Sequence, residues 1–439
     1  MKKKQHPKKL QKEEESEDIS LYNSENEQDE HNEPAFKEEE EDIDEKRLKL
    51  AKRLIEDTSK SLNENLKKTK EDDQFFLELP ETAQEQTIEK LQNDVLEQKK
   101  RVRLNLLDKM QEFTASKGGF PLAILKGHKK PISGACFCPK TGDLFTIGKD
   151  GAILRFLNHK AYLRTIFCDN ALKDDIGHSD ELLCIDISHD GKYMITGGKD
   201  RVIKLWDIVE NKHLHDFKGH RAAINCLKFM FLSHEFISGS SDRSMKQWDS
   251  VQKGLIQNLY GHRADMLDLD ILSSTTAISV SIDKTPIVWK IDKETQMVYQ
   301  EQLFSLDCCA AVNSHNFVTG SQDGTLCMWN LAKKKPKVVV EDSVDSGWLS
   351  ALASVYNGDV VVSGGRSGRI NFYKAEYDVI KDIKLKFAFS LEVEGCVQAL
   401  KFSSDHKYLA VVTGPESRLG RWFVLPKIKP SVQIYQLFE

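Results

Sequence analysis

One unit recurs seven times between Lys126 and the last residues of this 439-residue chain. A complete copy runs from a Gly-His pair through apolar segments to an Asp in a polar turn, and then to an aromatic residue. The clearest copies pair His178 with Asp200, His220 with Asp242, and His262 with Asp283. These separations are 22, 22 and 21 residues. Such regular spacing predicts a chain built from similar small units, each packed against its neighbours.

The aromatic residue that ends a copy is Trp206, Trp248 or Trp289 in the clearest cases. A period of about 40–45 residues with Gly-His and Trp-Asp marks is the WD40 signature, which specifies one four-stranded propeller blade per copy. Other copies are degenerate but in register: Asp150 with Phe156, Asp323 with Trp329, and Ser367 with Tyr373. We therefore predict an all-β, seven-bladed WD40 propeller over residues 118–439.

The last copy has no room for a fourth strand of its own. Its third strand is predicted over residues 431–437, with Tyr435 in the aromatic position, after an inserted loop over residues 414–430. The apolar run over residues 120–125, just before the first Gly-His, is the natural donor of the missing strand. Pairing of this run into the last blade would close the ring and remove exposed strand edges, which invite aggregation.

A hydroxyl residue lies four positions before the turn Asp in each clear copy. Buried polar groups need hydrogen bonds, so these side chains are predicted to satisfy one another within a blade. The three predicted structural sets are His178, Thr196, Asp200 and Trp206; His220, Ser238, Asp242 and Trp248; and His262, Ser279, Asp283 and Trp289. A catalytic Ser-His-Asp triad uses the same residue types. Repetition in successive blades favours the structural role, and we expect no enzyme.

Charge is distributed unevenly along the chain. Residues 11–45 contain 17 Asp and Glu against two Lys, whereas the rest of the chain has 61 basic and 51 acidic residues. High charge and few apolar residues predict a disordered tail over residues 1–45. Its start holds a basic cluster that is either a nuclear localisation signal or an ordinary solvated segment, formed by Lys2, Lys3, Lys4, Lys8 and Lys9. The basic excess elsewhere permits an anionic partner.

Helical periodicity marks the segment between this tail and the repeats. We predict a helical extension over residues 46–117, with its longer helix over residues 82–113. The apolar stripe of that helix is formed by Ile88, Leu91, Val95, Val102, Leu106, Met110 and Phe113. Such a stripe needs a surface to cover, either the side of the propeller or a partner.

The sequence contains no pattern typical of a membrane, metal or cofactor site. No run of about 18 apolar residues is present, and the N-terminus is basic and polar. The nine cysteines lack CxxC or Cys/His ligand spacing. We therefore expect a reducing intracellular compartment, with no membrane contact, metal, cofactor or small-molecule substrate.

Basic residues concentrate in the Gly-His loops and Asp turns, which emerge on one face of a WD40 ring. The candidate RNA-binding residues are Lys129, Lys130, Lys199, Arg201, Arg221, Arg243, Arg263, Arg366, Arg369, Arg418 and Arg421, with Trp422 for stacking. Lys149 and Lys284 lie in the same turns. Converging cations suit a phosphate backbone, although polar turns also carry Lys and Arg for solubility. Trp348 is a second candidate, either for base stacking or for plugging the ring.

Two further motifs are more specific. Residues 414–422 read GPESRLGRW, and residues 90–99 read KLQNDVLEQK. With the basic start and the acidic tract, they resemble the WD40 protein family of the U3 small nucleolar ribonucleoprotein (snoRNP), from about Asp44 onward. The fifth and sixth repeats depart from the idealised pattern because they lack Gly-His.

The resemblance implies a non-catalytic subunit that binds U3 small nucleolar RNA together with a kink-turn-binding snoRNP protein. It also implies action in the nucleus and nucleolus, within the small-subunit processome, in precursor ribosomal RNA processing toward 18S RNA. The alternative is an adaptor that binds peptides, such as a ubiquitin-ligase substrate receptor or a chromatin reader. Salt separates the two, because phosphate-dominated binding weakens steeply as salt is added.

Overall fold

The computed structural model describes residues 106–157, 164–168, 177–300, 304–341, 347–377, 383–418, 420, 424–425 and 428–438. Within these residues, 28 strands form seven four-stranded antiparallel sheets. The predicted seven-bladed, all-β propeller is therefore confirmed. No helix in the described ranges is both long enough and apolar enough to cross a lipid bilayer.

Each blade follows one copy of the repeat, from the inner strand to the outer strand. Blade one contains β2 (Ile132–Phe137), β3 (Leu144–Gly148), β4 (Ile153–Phe156) and β5 (Arg164–Cys168). Blade two contains β6 (Leu182–Ile187), β7 (Tyr193–Gly198), β8 (Val202–Asp207) and β9 (Lys212–Lys218). Blade three contains β10 (Ile224–Phe229), β11 (Glu235–Ser240), β12 (Ser244–Asp249) and β13 (Gly254–Tyr260). Blade four contains β14 (Met266–Ser273), β15 (Thr276–Ser281), β16 (Pro286–Lys290) and β17 (Thr295–Val298), with a 3₁₀ turn at Ile291–Lys293.

The remaining blades keep this order. Blade five contains β18 (Leu306–Ala311), β19 (Asn316–Ser321), β20 (Thr325–Asn330) and β21 (Lys333–Glu341). Blade six contains β22 (Leu349–Ser354), β23 (Val360–Gly365), β24 (Arg369–Tyr377) and β25 (Ile383–Glu392). Blade seven contains β26 (Cys396–Phe402), β27 (Tyr408–Gly414), β28 (Ser431–Gln436) and, from the start of the ring, β1 (Ala123–Leu125).

Strand β1 precedes blade one in the chain but is the outer strand of blade seven. Ala123 pairs with Ile434 and Leu125 pairs with Val432. The N–H of Leu122 also donates to the carbonyl oxygen of Ile434 at 2.7 Å. Only the last three residues of the predicted 120–125 run form the strand, and Phe120 is 81% exposed.

The core lies between neighbouring blades. The inner strands β2, β6, β10, β14, β18, β22 and β26 contact one another in a closed circle. At the junction of blades one and seven, Leu125, Phe156, Val412 and Ile434 pack in one buried cluster. The closing strand therefore contributes apolar packing as well as backbone hydrogen bonds.

Helix α1 (Leu106–Lys117) packs on the ring. Leu107 and Met110 are buried in the cluster formed by blades six and seven, and the N–H of Leu106 donates to Oδ1 of Asp359 at 3.1 Å. This part of the predicted apolar stripe thus covers the propeller. The helix extends four residues beyond the predicted end at Phe113 and stops before Gly118, whose φ of 76° is typical of a helix C-terminus.

The remainder of the N-terminal predictions lies outside the described residues. These are the tail over residues 1–45, the helical extension over residues 46–105, and the candidate nuclear localisation residues Lys2, Lys3, Lys4, Lys8 and Lys9.

The closing strand should contribute strongly to stability. Leu125 is fully buried, whereas its neighbour Ile124 is 48% exposed on the same strand. We expect Leu125→Ala to lower the free energy of unfolding by about 2–5 kcal/mol. The matched Ile124→Ala change should alter it by about 0.5 kcal/mol or less. Denaturant unfolding of both variants measures the difference, and equal effects would contradict the proposed contribution of closure.

Candidate nucleic-acid interface

The predicted His, hydroxyl, Asp and Trp sets are hydrogen-bonded in blades two, three and four. In blade two, Nδ1 of His178 lies 2.6 Å from Oδ2 of Asp200, and Nε2 lies 2.8 Å from Oγ1 of Thr196. The same Oγ1 accepts from Nε1 of Trp206 at 2.8 Å. Blades three and four repeat these contacts at 2.7–3.0 Å, through His220, Ser238, Asp242, Trp248 and through His262, Ser279, Asp283, Trp289. The three imidazoles are buried, so the hydrogen bonds satisfy polar groups inside each blade.

The degenerate blades keep parts of this arrangement. In blade one, His128 bonds Asp150 at 3.0 Å and Thr146 at 2.9 Å, while Phe156 replaces the Trp. In blade five, Nε1 of Trp329 donates to Oγ1 of Thr319 at 2.9 Å without a His. The set of hydrogen bonds is therefore complete in blades two, three and four and partial in blades one and five.

The turn Asp also holds the Gly-His loop against the Asp turn. The backbone N–H of Arg221 donates to Oδ2 of Asp242 at 2.9 Å, and that of Arg263 donates to Oδ2 of Asp283 at 2.8 Å. Burial alone would raise the pKa of Asp242, but hydrogen bonds with His220, Ser244 and the Arg221 amide lower it. The two loops are thereby fixed side by side at one end of each blade.

The residue after the turn position has a positive φ in blades one to six. It is Gly in blades one, five and six, where φ is 75°, 89° and 71° at Gly151, Gly324 and Gly368. In blades two, three and four it is a cation, with φ values of 65°, 67° and 69° at Arg201, Arg243 and Lys284. This left-handed conformation costs a residue other than glycine about 1–2 kcal/mol. Three successive blades therefore hold a cation where glycine would be more favourable for the backbone.

Seven predicted cations on blades one to four, or on the loops that lead into them, are exposed and form no ion pair within the described residues. They are Lys129, Lys130, Arg201, Arg221, Arg243, Arg263 and Lys284. We call this set the basic face. In blade six, Arg366 is also exposed.

Three other predicted cations are engaged in ion pairs. Lys199 lies 2.6 Å from Glu181 and remains half exposed, while Arg369 lies 3.6 Å from Glu392. Lys149 lies 2.9 Å from Glu416, and the side chains are only 3% and 9% exposed. Lys149 is thus part of the interior and not of the loop surface where it was predicted.

Arg418 points toward the ring axis. Its Nη2 donates to the carbonyl oxygen of Leu267 in blade four at 2.6 Å. Burial raises the pKa of Asp268 and Asp307, and the positive charge of Arg418 opposes that shift in both. Arg418 is therefore half-buried beside the ring axis rather than fully exposed, and its predicted role in RNA binding stays a prediction. Arg421 and Trp422 lie outside the described residues.

Residues 415–418, which we call the strap, lie across this end of the ring. Nζ of Lys149 in blade one donates to Oε1 of Glu416 at 2.9 Å and to the carbonyl oxygen of Ser417 at 3.2 Å. The side-chain amide of Gln398 in blade seven donates to the carbonyl oxygen of Glu416. Together with the Arg418 contact, these bonds tie the strap to blades one, seven and four.

An open cavity of about 460 Å³ lies beside the strap, at the same end of the ring. Its floor is formed by the second residue of five successive inner strands, Leu183, Asn225, Leu267, Asp307 and Ser350. Its rim is formed by the residues that precede the turn Asp in blades two to five, Lys199, Ser241, Ile282 and Gln322. We call it the axial cavity.

Trp348 lines the axial cavity, and its indole N–H donates to the carboxylate of Asp307. Trp348 was among the residues predicted from the sequence, whereas Asn225, Asp307 and Gln322 were not. These residues recur at equivalent positions of successive repeats, so a position-by-position alignment of the seven copies could have grouped them.

Of the cysteines whose side chains the structure describes, seven are buried and Cys136 is partly buried. The eight whose side chains the structure describes are all free thiols, and burial raises the pKa of Cys136 to about 12. Burial also raises the pKa of Cys184 and Cys308. Within the described ranges, no group of three His, Cys, Asp or Glu has the geometry to hold a metal ion.

A closed ring of seven blades with internal His-Asp and Trp-hydroxyl bonds defines a WD40-repeat protein. The family described as "WD domain, G-beta repeat" matches residues 171–207, 211–249 and 300–330. The chain is 30% identical to U3 small nucleolar RNA-interacting protein 2 of Mus musculus, over 91% of this chain and 83% of that protein. It is 31% identical to the U3 snoRNP-associated protein-like YAOH of Oryza sativa, over 78% and 73% of the two chains.

A solved structure is similar to this chain in both fold and sequence. The chain is similar to "Structure of U3-55K" with a TM-score of 0.67 and 29% identity, over 72% of this chain and 98% of that one. The protein belongs to the family of U3 snoRNP-associated, U3 small nucleolar RNA-interacting WD40 proteins.

The ion pair of Lys149 and Glu416 should be sensitive to removal of one partner. Lys149→Met leaves the Glu416 carboxylate buried without its cation, so we expect the free energy of unfolding to fall by about 3–5 kcal/mol. Lys199 occupies the same position in blade two but pairs at the surface, so Lys199→Met should cost about 1 kcal/mol or less. Denaturant unfolding compares the two, and a similar small decrease in both would refute the difference.

Asp307 should make stability depend on pH. Burial raises its pKa to about 7, from an ordinary value of 3.8. The folded protein therefore binds this proton more tightly than the unfolded chain. Its stability falls as the pH rises from about 3.8 to about 7, the pKa values of Asp307 in the unfolded and folded states. Replacing Asp307→Asn removes the titration, so the variant should gain stability relative to the parent as pH rises, by at most about 1.4 kcal/mol per pH unit. Thermal unfolding of both proteins on either side of the window tests this, and parallel curves would contradict it.

Proposed function

We propose that the basic face binds the phosphate backbone of a U3-type small nucleolar RNA. The observation that carries the proposal is the cation at the left-handed turn position of blades two, three and four. A charge that served only solubility could sit at any exposed loop position without this conformational cost. The names of the relatives, which refer to U3 RNA and to its ribonucleoprotein, support the same conclusion.

The shape of the basic face fits a polyanion. Its seven cations follow four consecutive blades, and the turn carboxylates between them are hydrogen-bonded to imidazoles and backbone amides. Phosphate contacts position a nucleic acid without reading its sequence. The proposed footprint therefore covers blades one to four and leaves the outer loops of blades five and six for other partners.

In this proposal the protein is a non-catalytic subunit of the U3 snoRNP. It would act in the nucleus and nucleolus, in ribosomal RNA processing toward 18S RNA, beside a kink-turn-binding protein and other small-subunit processome proteins. The basic cluster at residues 2–9 would supply the nuclear localisation signal.

The peptide-adaptor alternative is less well supported at the centre of the ring. The positive charge of Arg418 in the strap already lowers the pKa of the Asp268 and Asp307 carboxyl groups, against the effect of burial. A basic peptide side chain would have to displace Arg418 from Leu267 as well. The exposed cations of the basic face suit an anionic ligand.

Replacing the left-handed cations by glycine separates RNA binding from folding. We expect Arg201→Gly, Arg243→Gly and Lys284→Gly to leave stability unchanged or raise it by up to about 1 kcal/mol each, because glycine adopts positive φ without strain. The triple variant should bind RNA more weakly. The slope of log K against log salt should fall by about 0.7–0.9 for each phosphate group that the variant no longer neutralises.

The matched control is Lys253→Gly. Lys253 is also exposed with a positive φ of 54°, but it lies in the β12–β13 turn, at the opposite end of β12 from Arg243. Filter binding of U3-type RNA at several salt concentrations should show no effect of this change. Equal weakening in the control and in Arg243→Gly would show that the charge effect is not specific to the basic face.

A further inference from the structure

We infer that the axial cavity accepts one unstacked nucleobase of the bound RNA. The inference rests on the proposed function and adds to it a site that reads a base, whereas the basic face holds phosphates. RNA is recognised sequence-specifically where unpaired bases can be splayed out, stacked on aromatic side chains and hydrogen-bonded along their edges.

The position and size of the cavity suit this role. It opens at the end of the ring that carries the basic face, and Lys199, Ser241 and Ile282 of its rim directly precede the Asp turns that hold the left-handed cations. A backbone following the basic face would therefore pass beside the cavity. Its volume of about 460 Å³ lies within the range of roughly 300–1,000 Å³ typical of small-molecule sites.

The walls of the axial cavity offer apolar side chains that a base could contact. Leu183 and Leu267 contribute to the floor, and Ile282 on the rim is 45% exposed. The indole of Trp348 forms part of the wall, and its hydrogen bond to Asp307 fixes the orientation of the ring. Stacking of a base on an aromatic side chain contributes favourably whichever base is present, because every base has a π-face.

Two amide groups provide for base-edge recognition. Asn225 is 3% exposed, and its Nδ2 donates to Oγ of Ser241 at 3.0 Å and to the carbonyl oxygen of Met266 at 2.7 Å. Among the described residues nothing donates to its Oδ1, and this oxygen is not among the buried atoms without a partner, so it is a free acceptor on the cavity wall. At the rim, Oε1 of Gln322 accepts from Oγ of Ser305 at 2.9 Å, which leaves Nε2 as a donor. An acceptor and a donor in one cavity match the edge of a nucleobase, which carries both hydrogen-bond donors and hydrogen-bond acceptors.

These features favour a base over a basic peptide side chain. The carboxyl group of Asp307 already accepts from Trp348, and Arg418 lines the same cavity. A second cation would enter beside the Arg418 guanidinium and be repelled by it. A neutral planar heterocycle meets no such repulsion, and its phosphates would face Lys199 and the basic face.

The test is a double-mutant cycle on the full chain with a U3-type RNA transcript. Each unpaired nucleotide is replaced in turn by an abasic one, and the affinity is measured for the parent and for Trp348→Leu. We expect one position at which base removal weakens binding by about 5- to 150-fold to the parent. In Trp348→Leu the same removal should have little further effect, while Trp348→Phe, which retains a stacking surface, should preserve most of the coupling.

A second variant covers the case in which Trp348→Leu fails to fold. Ile282→Trp fills the cavity from its exposed rim and removes no side-chain hydrogen bond, so it should weaken binding to the same nucleotide. Val209→Trp is the control, since Val209 is 75% exposed on the β8–β9 turn, at the other end of blade two.

The possible results distinguish this inference from the proposed function. If the parent does not bind the RNA, both fail. If binding depends on the basic face but no nucleotide couples to Trp348 or Ile282, the phosphate-binding function stands and the base site is overturned. If the cavity variants spare RNA binding but abolish binding of an arginine-rich peptide, the cavity is a peptide site and the inference is likewise overturned.

Discussion

The pairing of β1 with β28 is the interaction on which the rest of the structure depends. It joins Leu125 to Val432, residues 307 positions apart, and supplies the fourth strand of the last blade. A single four-stranded blade cannot bury both of its faces, so each needs two neighbours. Closure gives blades one and seven their missing neighbours and brings the Asp turns of successive blades to one end of the ring. The basic face and the axial cavity exist only because those turns are held at fixed angles around one axis.

Most of the fold could be predicted from the sequence because its signals are local. His178, Thr196, Asp200 and Trp206 lie within one repeat, and their spacing determines which strands they join. The borrowed strand could also be anticipated, since blade seven needed a fourth member and one apolar run preceded the first Gly-His. The length of β1 could not, because exposed Phe120 and Leu122 look as strand-like in sequence as Leu125 does.

The site was less predictable because it depends on contacts between distant parts of the chain. Lys149 meets Glu416 across 267 residues, and Arg418 meets the Leu267 carbonyl across 151. In sequence these three charged residues resemble ordinary loop charges. The backbone conformation at Arg201, Arg243 and Lys284 had a visible signal, however, since Gly151, Gly324 and Gly368 hold the same turn position in other repeats. A cation in a glycine position was therefore readable from the repeat alignment alone.

The place of β1 in the chain has a consequence for synthesis of the protein. A ribosome adds about 5–20 residues each second, so roughly 15–60 s pass between the emergence of β1 and that of β28. During this interval the apolar Leu125 has no partner strand and the growing propeller has an open seam. Chaperone protection of that seam would suit a nascent chain of this topology. Because the seam closes last, the ring that positions the Asp turns is complete only after β28 has emerged.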